Sequence, residues 1–385
     1  MAIKGSSWIA AEIVKMGGMI SGERFMELAL YHPGHGYYHN QGAPMGRDGD
    51  YVTAPLLTSL FGELLCLQCI EVWEIMGSPS RFVLVEVGPG TGHLAEDMIR
   101  TASRFPQFRC SLDYRLVEVA PALRQMQQKR LQLAGLDQGC RWFERLEAAC
   151  EGGIEGVILG NEFLDALPVR WVVMTAEGLR EVGVAVSPEE ELCLSTIPVQ
   201  AGLECDYFVR RLGWELPVGM RTEVGLQAQE WMRLAGRVLR RGLVLMIDYG
   251  FPARKYYTPE RHEGTLVGHF RHQRVNDPLQ HPGAMDLTAH VDFSAMARAG
   301  QEVGLEVSGY TSQGWFLMGL GLLERLQSLV HRQQNQGLGK EIRQSALRLV
   351  LPEEMGERFK TLALSRGLKN VALTGYRLKN QSDEL

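Results

Sequence analysis

The chain of 385 residues lacks several features that would place it in a special class of protein. It has no continuous apolar run of about 18 residues, which is the length that a membrane-spanning helix needs. Its 40 Lys and Arg residues stand against 45 Asp and Glu residues, and no basic block is present. The absence of such an apolar run predicts that no helix spans a membrane. With a net charge of −5 and no basic block, the chain has no positively charged surface for a phosphate backbone, so we expect no nucleic-acid partner.

Cysteine is also scarce, and its seven residues are scattered through apolar segments. An odd, scattered set favours free thiols in a reducing compartment over a disulfide framework. Cys66 and Cys69 form a C-x-x-C pair, but no second pair completes a metal-ligand set, so we expect core packing. The first residues show neither a signal-peptide core nor an Arg-rich transit segment, which predicts a cytoplasmic location.

The most informative stretch that is present reads Val-Leu-Val-Glu-Val-Gly-Pro-Gly-Thr-Gly, at residues 83–92. An apolar strand ends in an acid, turns through three glycines and leads into a helical pattern, which brings backbone close to a ligand. The dinucleotide fingerprint requires glycine where His93 stands, whereas this spacing resembles motif I of S-adenosylmethionine-dependent methyltransferases. The residues of this stretch that we expect to bind the cofactor are Glu86, Gly88, Pro89, Gly90, Thr91 and Gly92.

A second strand with an acid at its carboxyl end supports this interpretation. Residues 114–118 read Tyr-Arg-Leu-Val-Glu, and Glu118 lies 30 residues after Gly88. Ligands of doubly wound sheets bind outside the carboxyl ends of the strands, where an ionised carboxylate can accept hydrogen bonds from both ribose hydroxyls. We therefore expect Glu118 to bind the cofactor; the alternative is a solvated strand end.

The alternation of strands and helices predicts an α/β fold, with a Rossmann-like, doubly wound sheet, a helical N-terminal section and an inserted smaller α+β substrate domain. A hairpin is expected at residues 170–186 and a helix at 227–241, whereas 269–292 shows no regular pattern. Strands at 359–364 and 371–378 are expected to close the sheet edge. The expected segments are a helical section that covers the cofactor site (1–76), the cofactor-binding half (77–169), the inserted hairpin region (170–225) and the second half of the sheet (226–385), which carries an inserted loop (251–291) and helices (315–350).

A third constellation, Asn-Glu-Phe-Leu-Asp-Ala-Leu-Pro-Val, occupies residues 161–169 after another expected strand. Pro168 ends any long helix here, so Asn161, Glu162 and Asp165 are expected on a loop or short turn at the ligand edge of the sheet, with Asn161 as a cofactor-binding residue. Two carboxylates near a sulfonium can bind a guanidinium or an amine, or accept the proton that it loses. The alternative is that Asn161 or Asp165 caps a short helix and Glu162 is exposed.

This stretch resembles the NEFxDALPV block of the MidA family, the S-adenosylmethionine-dependent methyltransferases that include the mitochondrial complex I assembly factor. Other blocks agree with the family in order and spacing across most of the chain. One departure is Ala54, where the family form has serine. The further blocks lie at residues 31–38, 49–55, 61–64, 247–250, 283–293 and 311–314.

The resemblance implies a class I methyltransferase fold and S-adenosyl-L-methionine as the cofactor. It also implies protein arginine methylation, which in mitochondrial members targets a core complex I subunit and serves complex I assembly. The expected partner is therefore an arginine-bearing protein, with a complex I subunit as a candidate. A homo-oligomer is compatible with the sequence.

Two further segments contribute polar residues to the predicted site. Residues 49–55 are expected to cover the cofactor as a lid, with Asp50 and Thr53 as its polar contacts. Asp248 stands at the end of the strand expected at residues 243–248, again on the ligand edge, and is a catalytic candidate beside Glu162 and Asp165.

His290 is the fourth catalytic candidate. With Asp292 or Asp286 it can form an acid–base pair; alternatively, Asp292 caps the helix that follows and His290 packs. His269 and His272 are spaced as H-x-x-H, but the loop offers no frame that would fix a metal-ligand geometry, so we expect no metal.

Several functions stay open on the sequence. The leading one is a methyltransferase that acts on protein arginine, with Glu162 and Asp165 binding the guanidinium. A methyltransferase for a small molecule or another side chain comes next, followed by a non-enzymatic assembly factor that binds S-adenosylmethionine. The glycine register disfavours a nicotinamide dehydrogenase. The residues that argue against a non-enzymatic role are Glu86, Gly88, Gly90 and Glu118.

Overall fold

The computed structural model describes residues 7–39, 53–204, 206–271, 273–331, 336–368 and 372–385. The chain divides into two compact units, and each is assembled from three stretches of sequence. Unit 1 comprises Met1–Tyr51, Leu164–Glu230 and Phe251–Ala295. Unit 2 comprises Val52–Phe163, Trp231–Gly250 and Met296–Leu385.

Strands and helices are numbered separately in chain order. The strands are β1 (Met19–Ser21), β2 (Phe82–Val87), β3 (Leu112–Val117), β4 (Cys140–Phe143), β5 (Ile154–Asn161), β6 (Arg170–Thr175), β7 (Gly178–Val186), β8 (Leu192–Ile197), β9 (Arg221–Val224), β10 (Leu239–Phe251), β11 (Val267–Phe270), β12 (Gln273–Val275), β13 (Asp286–Thr288), β14 (Val291–Asp292), β15 (Glu306–Ser312) and β16 (Phe359–Arg366). The helices are α1 (Ser7–Lys15), α2 (Gly22–Tyr31), α3 (Ala54–Leu57), α4 (Leu60–Ile75), α5 (His93–Ala102), α6 (Pro106–Ser111), α7 (Pro121–Leu133), α8 (Leu146–Ala149), α9 (Tyr207–Leu212), α10 (Leu226–Val238), α11 (Ala253–Tyr256), α12 (Phe293–Glu302), α13 (Gln313–Gly319), α14 (Leu322–His331) and α15 (Gln336–Val350). Single 3₁₀ or π turns lie at Tyr37–His39, Pro259–Arg261, Pro352–Gly356, Thr374–Tyr376 and Ser382–Glu384.

Unit 2 is built on a mostly parallel sheet in the order β4-β3-β2-β5-β10-β16-β15. Strands β2 to β5 and β10 are parallel, and β16 runs antiparallel to both of its neighbours. Every residue of β2 is buried, as expected for a central strand with helices on both faces. The predicted α/β fold with a parallel sheet is therefore confirmed.

Helices α4 and α5 cover one face of this sheet. The pair approaches closely at Gly62, where a Cβ atom would lie 2.6 Å from the Cβ of Asp97. Cys66 and Cys69 on α4 are each 1% exposed, and burial raises the pKa of Cys69 to about 12. Both cysteines belong to the apolar core, which confirms the core-packing prediction for this C-x-x-C pair.

Unit 1 contains a sheet in the order β1-β7-β6-β9, with β8 on the far side of β7. The hairpin predicted at residues 170–186 is confirmed, because β6 and β7 pair antiparallel across it. Phe25 of α2 packs against Trp171 of β6 with ring centroids 5.9 Å apart, at the centre of one apolar core. The N-terminal helices α1 and α2 thus belong to unit 1, whereas α3 and α4 belong to unit 2.

Two expectations about local structure are wrong, and one expected helix ends earlier than predicted. The 269–292 segment is not structureless, because β11, β12 and β13 form a small antiparallel sheet there. Helix α10 ends at Val238 rather than residue 241, since Leu239 already pairs with Ile154 in the parallel sheet. Residues 372–378 contain a 3₁₀ turn and no strand, and Tyr376 there packs against Phe316. In each case a tertiary contact outweighs the local pattern.

In the described part of the chain, no helix combines the length and the apolarity that crossing a bilayer demands.

Candidate active site

The carboxyl ends of the parallel strands in unit 2 bring the predicted residues to one edge. Val87 of β2 pairs with Val117 of β3 and with Gly160 of β5. Asn161 in turn pairs with Ile247 of β10. The residues that follow these positions therefore share one edge of the sheet, the edge at which doubly wound sheets bind ligands. They include the glycine turn, Glu118, Glu162 and Asp248.

The three glycines of the turn occupy the left-handed region, with φ of 62° at Gly88, 52° at Gly90 and 80° at Gly92. Gly88 is exposed, and a Cβ there would lie 3.0 Å from the Phe163 ring. A Cβ at Gly92 would lie 3.3 Å from the Cα of Gln127 on α7. Gly88 thus keeps backbone open toward the edge, whereas Gly92 allows a second helix to approach.

The other residues of the turn are held by hydrogen bonds. Gly92 N donates to Pro89 O at 2.9 Å, and the Thr91 hydroxyl lies 2.7 Å from Nδ1 of His93, the first residue of α5. Arg130 of α7 donates its Nε–H to Thr91 O at 2.9 Å. The turn is therefore a fixed feature of unit 2, with the N-terminus of α5 directly behind it.

Glu86 lies inside the sheet, where it is 2% exposed. The Tyr114 hydroxyl donates to its Oε2 at 2.6 Å. Burial raises the pKa of Glu86 to about 7, against the opposing effect of the Tyr114 hydrogen bond and with a smaller raising effect from the Glu118 charge. Its place one residue before Val87 puts it below the glycine turn; direct contact with the cofactor stays a prediction.

Glu118 stands at the end of β3 and is 6% exposed. Its Oε1 accepts from Ala120 N at 2.9 Å, and its Oε2 accepts from Gln127 Nε2 at 3.1 Å. Burial raises the pKa of this carboxyl to about 7, although both hydrogen bonds lower it. A carboxylate can accept about four hydrogen bonds, so Glu118 keeps the capacity to accept one from a ribose hydroxyl.

Residues of α7 and β4 that were not predicted from the sequence organise this edge. Gln127 is completely buried and donates to Gly90 O at 2.7 Å as well as to Glu118. Trp142 of β4 donates its indole N–H to Gln127 Oε1 at 3.1 Å. One feature of the sequence could have indicated them: Gln127 and Arg130 are polar residues three positions apart, on one face of a predicted helix.

At the end of β5, Glu162 adopts a left-handed backbone with φ of 51°. Its N–H donates to Ile247 O at 2.9 Å, and its Oε1 accepts from Asn161 Nδ2 at 3.1 Å. Asn161 Oδ1 is buried and has no hydrogen-bond partner among the described residues. Residues 161–169 form no helix, which excludes the alternative of helix capping for this segment.

Asp248 is completely buried near the end of β10. Its Oδ2 accepts from Phe163 N at 3.1 Å and its Oδ1 accepts from Tyr249 N at 2.9 Å. Phe163 packs its ring against Trp231, with centroids 4.9 Å apart. These contacts fix the segment that follows Glu162, which is a positioning role; a catalytic role for Asp248 stays a prediction.

Asp165 lies in unit 1 and is 5% exposed. Its carbonyl accepts from Ala289 N at 3.1 Å, so the backbone immediately before His290 is held against it. The neighbouring Ala166 carbonyl accepts from the Tyr31 hydroxyl at 3.0 Å. Within unit 1, the structure therefore joins three of the sequence blocks that carried the family resemblance.

His290 donates its backbone N–H to the Thr265 hydroxyl at 3.0 Å, and its ring lies 5.5 Å from that of Phe251. Burial lowers the pKa of His290 to about 4, and the charges of Arg261 and Arg274 lower it further. The imidazole is therefore neutral at neutral pH.

The acidic residues that were paired with His290 in the sequence have other contacts. Asp292 Oδ1 accepts from Ala295 N at 3.0 Å and thereby caps α12, as the alternative interpretation proposed. Asp286 Oδ1 accepts from the Tyr38 hydroxyl at 3.0 Å. The acid–base pair with His290 stays a prediction.

Of the two predicted lid contacts, the structure describes Thr53. Thr53 is half-buried and precedes α3 as its N-cap residue, without a side-chain capping hydrogen bond. Asp50 lies outside the described residues. Their contacts with the cofactor remain predictions.

Comparison with known proteins gives consistent results. The family profile of an S-adenosyl-L-methionine-dependent methyltransferase matches residues 64–311. The chain is 31% identical over 373 residues to bovine (Bos taurus) "Protein arginine methyltransferase NDUFAF7, mitochondrial", covering 91% of this chain and 81% of that protein. A zebrafish (Danio rerio) protein of the same name is 33% identical over 376 residues, with 91% and 84% covered.

A solved structure is similar over nearly the whole chain. It is a protein from Burkholderia thailandensis bound to S-adenosyl-homocysteine, 34% identical, with a TM-score of 0.89 over 99% of this chain and 96% of that one. The expected cytoplasmic location is wrong, because relatives from cattle, fruit fly and rat are named mitochondrial proteins.

Proposed function

This chain belongs to the family of S-adenosyl-L-methionine-dependent methyltransferases, and on that premise we propose that it methylates arginine side chains of a protein. The predicted family, fold class, enzyme class and cofactor are confirmed by the profile match and by the similar structure that binds S-adenosyl-homocysteine. The nature of the methyl acceptor and the roles of individual residues make up the proposal.

The cofactor is proposed to bind at the glycine turn and Glu118. Three features fit a ligand with ribose hydroxyls and an ammonium group: the exposed Gly88 backbone, the buried Asn161 Oδ1, which no described residue contacts by a hydrogen bond, and the remaining acceptor capacity of Glu118. When bound, S-adenosylmethionine supplies a methyl group on a sulfonium for in-line displacement. The residues of this edge orient and hold it, and orientation is the largest demand of such a transfer.

One observation carries the choice of arginine: the carboxylate of Glu162 is fixed at the end of β5, beside the proposed cofactor edge. The backbone is held on both sides, because Ile247 O accepts from the N–H of Glu162 and Asp248 accepts from the next N–H. The carboxylate itself accepts from Asn161. A carboxylate in fixed orientation binds a guanidinium by charge-assisted hydrogen bonds, which align the attacking nitrogen.

Asp165 and His290 are proposed as further catalytic residues on the basis of their sequence blocks and their held backbones. A neutral imidazole does not repel a cationic substrate, whereas a protonated one would. Since the pKa of His290 is lowered to about 4, its imidazole is a weak acceptor for the proton that leaves the guanidinium. We further propose a complex I subunit as the first substrate to test, together with a role in complex I assembly.

The proposal is tested by transfer of labelled methyl groups from S-adenosylmethionine to complex I subunits, followed by identification of the labelled amino acid after hydrolysis. We expect methylarginine with the wild type and at least a hundredfold lower kcat with Glu162→Gln, while the Kd for S-adenosylhomocysteine changes less than about threefold. Label on lysine or on a hydroxyl, or full activity of Glu162→Gln, would contradict arginine as the acceptor.

A further inference from the structure

The side chain of Gln127 connects three elements of the cofactor edge. Its amide nitrogen donates to Gly90 O at 2.7 Å and to Glu118 Oε2 at 3.1 Å. Its amide oxygen accepts from the Trp142 indole at 3.1 Å. The glycine turn, the end of β3 and strand β4 are thus connected by one completely buried amide.

The orientation of this amide is determined by chemistry. An indole N–H only donates, so the oxygen of Gln127 must face Trp142. Both N–H groups then face acceptors, the Gly90 carbonyl and the Glu118 carboxylate. A flipped amide would place its oxygen against two other oxygens, so only one arrangement satisfies every partner.

Helix α7 is held close enough for this contact by the third glycine. The Gly92 backbone approaches the Gln127 backbone to a distance that leaves little room for a Cβ. Arg130, one turn further along α7, donates to the next carbonyl of the turn, that of Thr91. Consecutive carbonyls of the turn are therefore bound by side chains of α7.

We propose that Gln127 is a positioning residue for cofactor binding, which sets the Gly90 carbonyl and the Glu118 carboxylate in the arrangement that receives the ribose. The inference rests on the proposed ribose-binding role of Glu118. Gln127 itself does not need to touch the cofactor. Its contribution is to hold two groups of the site in register with each other.

The test uses Gln127→Glu, which keeps the shape of the side chain and replaces a double donor by an acceptor. The affinity for S-adenosylhomocysteine is measured by calorimetry on the full chain at pH 8 and pH 6, each relative to wild type. We expect about a hundredfold loss at pH 8, because the new carboxylate faces Gly90 O and Glu118. The loss should shrink to about tenfold at pH 6, where the protonated carboxyl donates one hydrogen bond.

The matched control is Gln128→Glu, which makes the same charge change on the adjacent, exposed position of α7. It should bind within about twofold of wild type at both pH values. Trp142→Phe is a second variant that removes the indole donor and frees the amide to rotate. It should weaken binding several-fold at both pH values, and it keeps the inference testable if Gln127→Glu does not fold.

Wild-type affinity of Gln127→Glu at pH 8, or an equal loss at both pH values, would overturn the inference. Should Gln127→Glu not fold, unchanged affinity of Trp142→Phe would overturn it as well. Glu118→Gln, measured in parallel, changes both the proposed ribose contact and the acceptor that Gln127 uses. Weakened binding there, with none in Gln127→Glu, overturns the positioning role alone, whereas wild-type binding of both variants overturns both assignments.

Discussion

Two buried carboxylates, one in each unit, are hydrogen-bonded very differently. Glu223 of β9 in unit 1 accepts from Thr265 N, Thr265 Oγ1, Leu266 N and the Tyr256 hydroxyl, all within 3.2 Å. For Glu86 of β2 in unit 2, the described contacts contain one donor, the Tyr114 hydroxyl. Burial raises the pKa of both groups.

The comparison shows that burial alone does not define the role of a carboxylate. Glu223 has its acceptor capacity filled and fixes the backbone that leads into β11. Its partner Thr265 in turn accepts from the N–H of His290, so Glu223 is an anchor for that segment. Glu118, with two donors, and Glu86, with one, keep acceptor capacity, which a ligand or a proton can use. The buried carboxylates that keep acceptor capacity are thus the ones at the proposed cofactor edge.

The largest effect is expected from Glu223→Leu. It leaves several buried N–H and O–H donors without an acceptor, and we expect the free energy of unfolding of the protein to fall by about 4 kcal/mol. Urea denaturation followed by circular dichroism measures the change. Glu189→Leu, at an exposed position of unit 1, is the control and should leave the midpoint unchanged. A Glu223→Leu protein as stable as wild type would refute the anchor role.

The pH dependence of stability is expected to report Glu86. Its pKa is about 7 in the folded protein and 4.5 in the unfolded chain, so the folded state holds the proton more tightly. This stabilisation is fully present below pH 4.5 and is lost as the pH rises through 7, which amounts to about 3 kcal/mol. Glu86→Gln should flatten the curve of unfolding free energy between pH 5 and pH 8. If the curve of the variant is as steep as that of wild type, the pH dependence of stability comes from groups other than Glu86.

Glu118→Gln is expected to affect binding more than folding. The amide offers one acceptor oxygen instead of two and carries no charge, so the affinity for S-adenosylhomocysteine should fall about thirtyfold. The free energy of unfolding at pH 8 should not decrease, because a buried charge is removed. Titration calorimetry and urea denaturation separate the two effects, with Glu147→Gln on the exposed side of α8 as the control. Unchanged affinity would remove Glu118 from the site.

Tyr114→Phe should have the smallest effect. It removes the 2.6 Å hydrogen bond that lowers the pKa of Glu86, at a cost of about 1 kcal/mol. The loss of stability with rising pH should then extend to higher pH than in wild type, because Glu86 binds its proton more tightly. Stability curves of the two proteins from pH 5 to pH 9 test this; superimposable curves would mean that the hydroxyl does not act on Glu86.

The sequence predicted the parts of unit 2 that depend on local pattern and on the geometry of parallel strands. The glycine turn, Glu118 and the segment that begins at Asn161 all follow buried apolar strands, and parallel pairing brings such strand ends to one edge. Asp248 was placed at the same edge for the same reason. Its described hydrogen bonds to Phe163 and Tyr249 could not be read from the sequence, because one of them joins residues that lie 85 positions apart.

The parts that were missed depend on tertiary contacts. Gln127 on a predicted helix resembles any polar residue until α7 is packed against Gly92. The small sheet at 267–288 consists of strands of three or four residues, too short to show an alternating pattern. The role of Asp292 was ambiguous, because the sequence His-Val-Asp before a helix is compatible both with a helix cap and with an acid–base pair. The hydrogen bond from Ala295 N to Asp292 shows that Asp292 is the helix cap.

The left-handed backbone of Glu162 has a consequence for the evolution and engineering of the site. A non-glycine residue with φ of 51° costs about 1 kcal/mol relative to glycine, so Glu162→Gly should make the fold more stable. Position 162 is thus a place where selection for stability and selection for activity pull in opposite directions. A search for thermostable variants would find glycine there, and the improved protein would have lost the carboxylate proposed to bind the methyl acceptor.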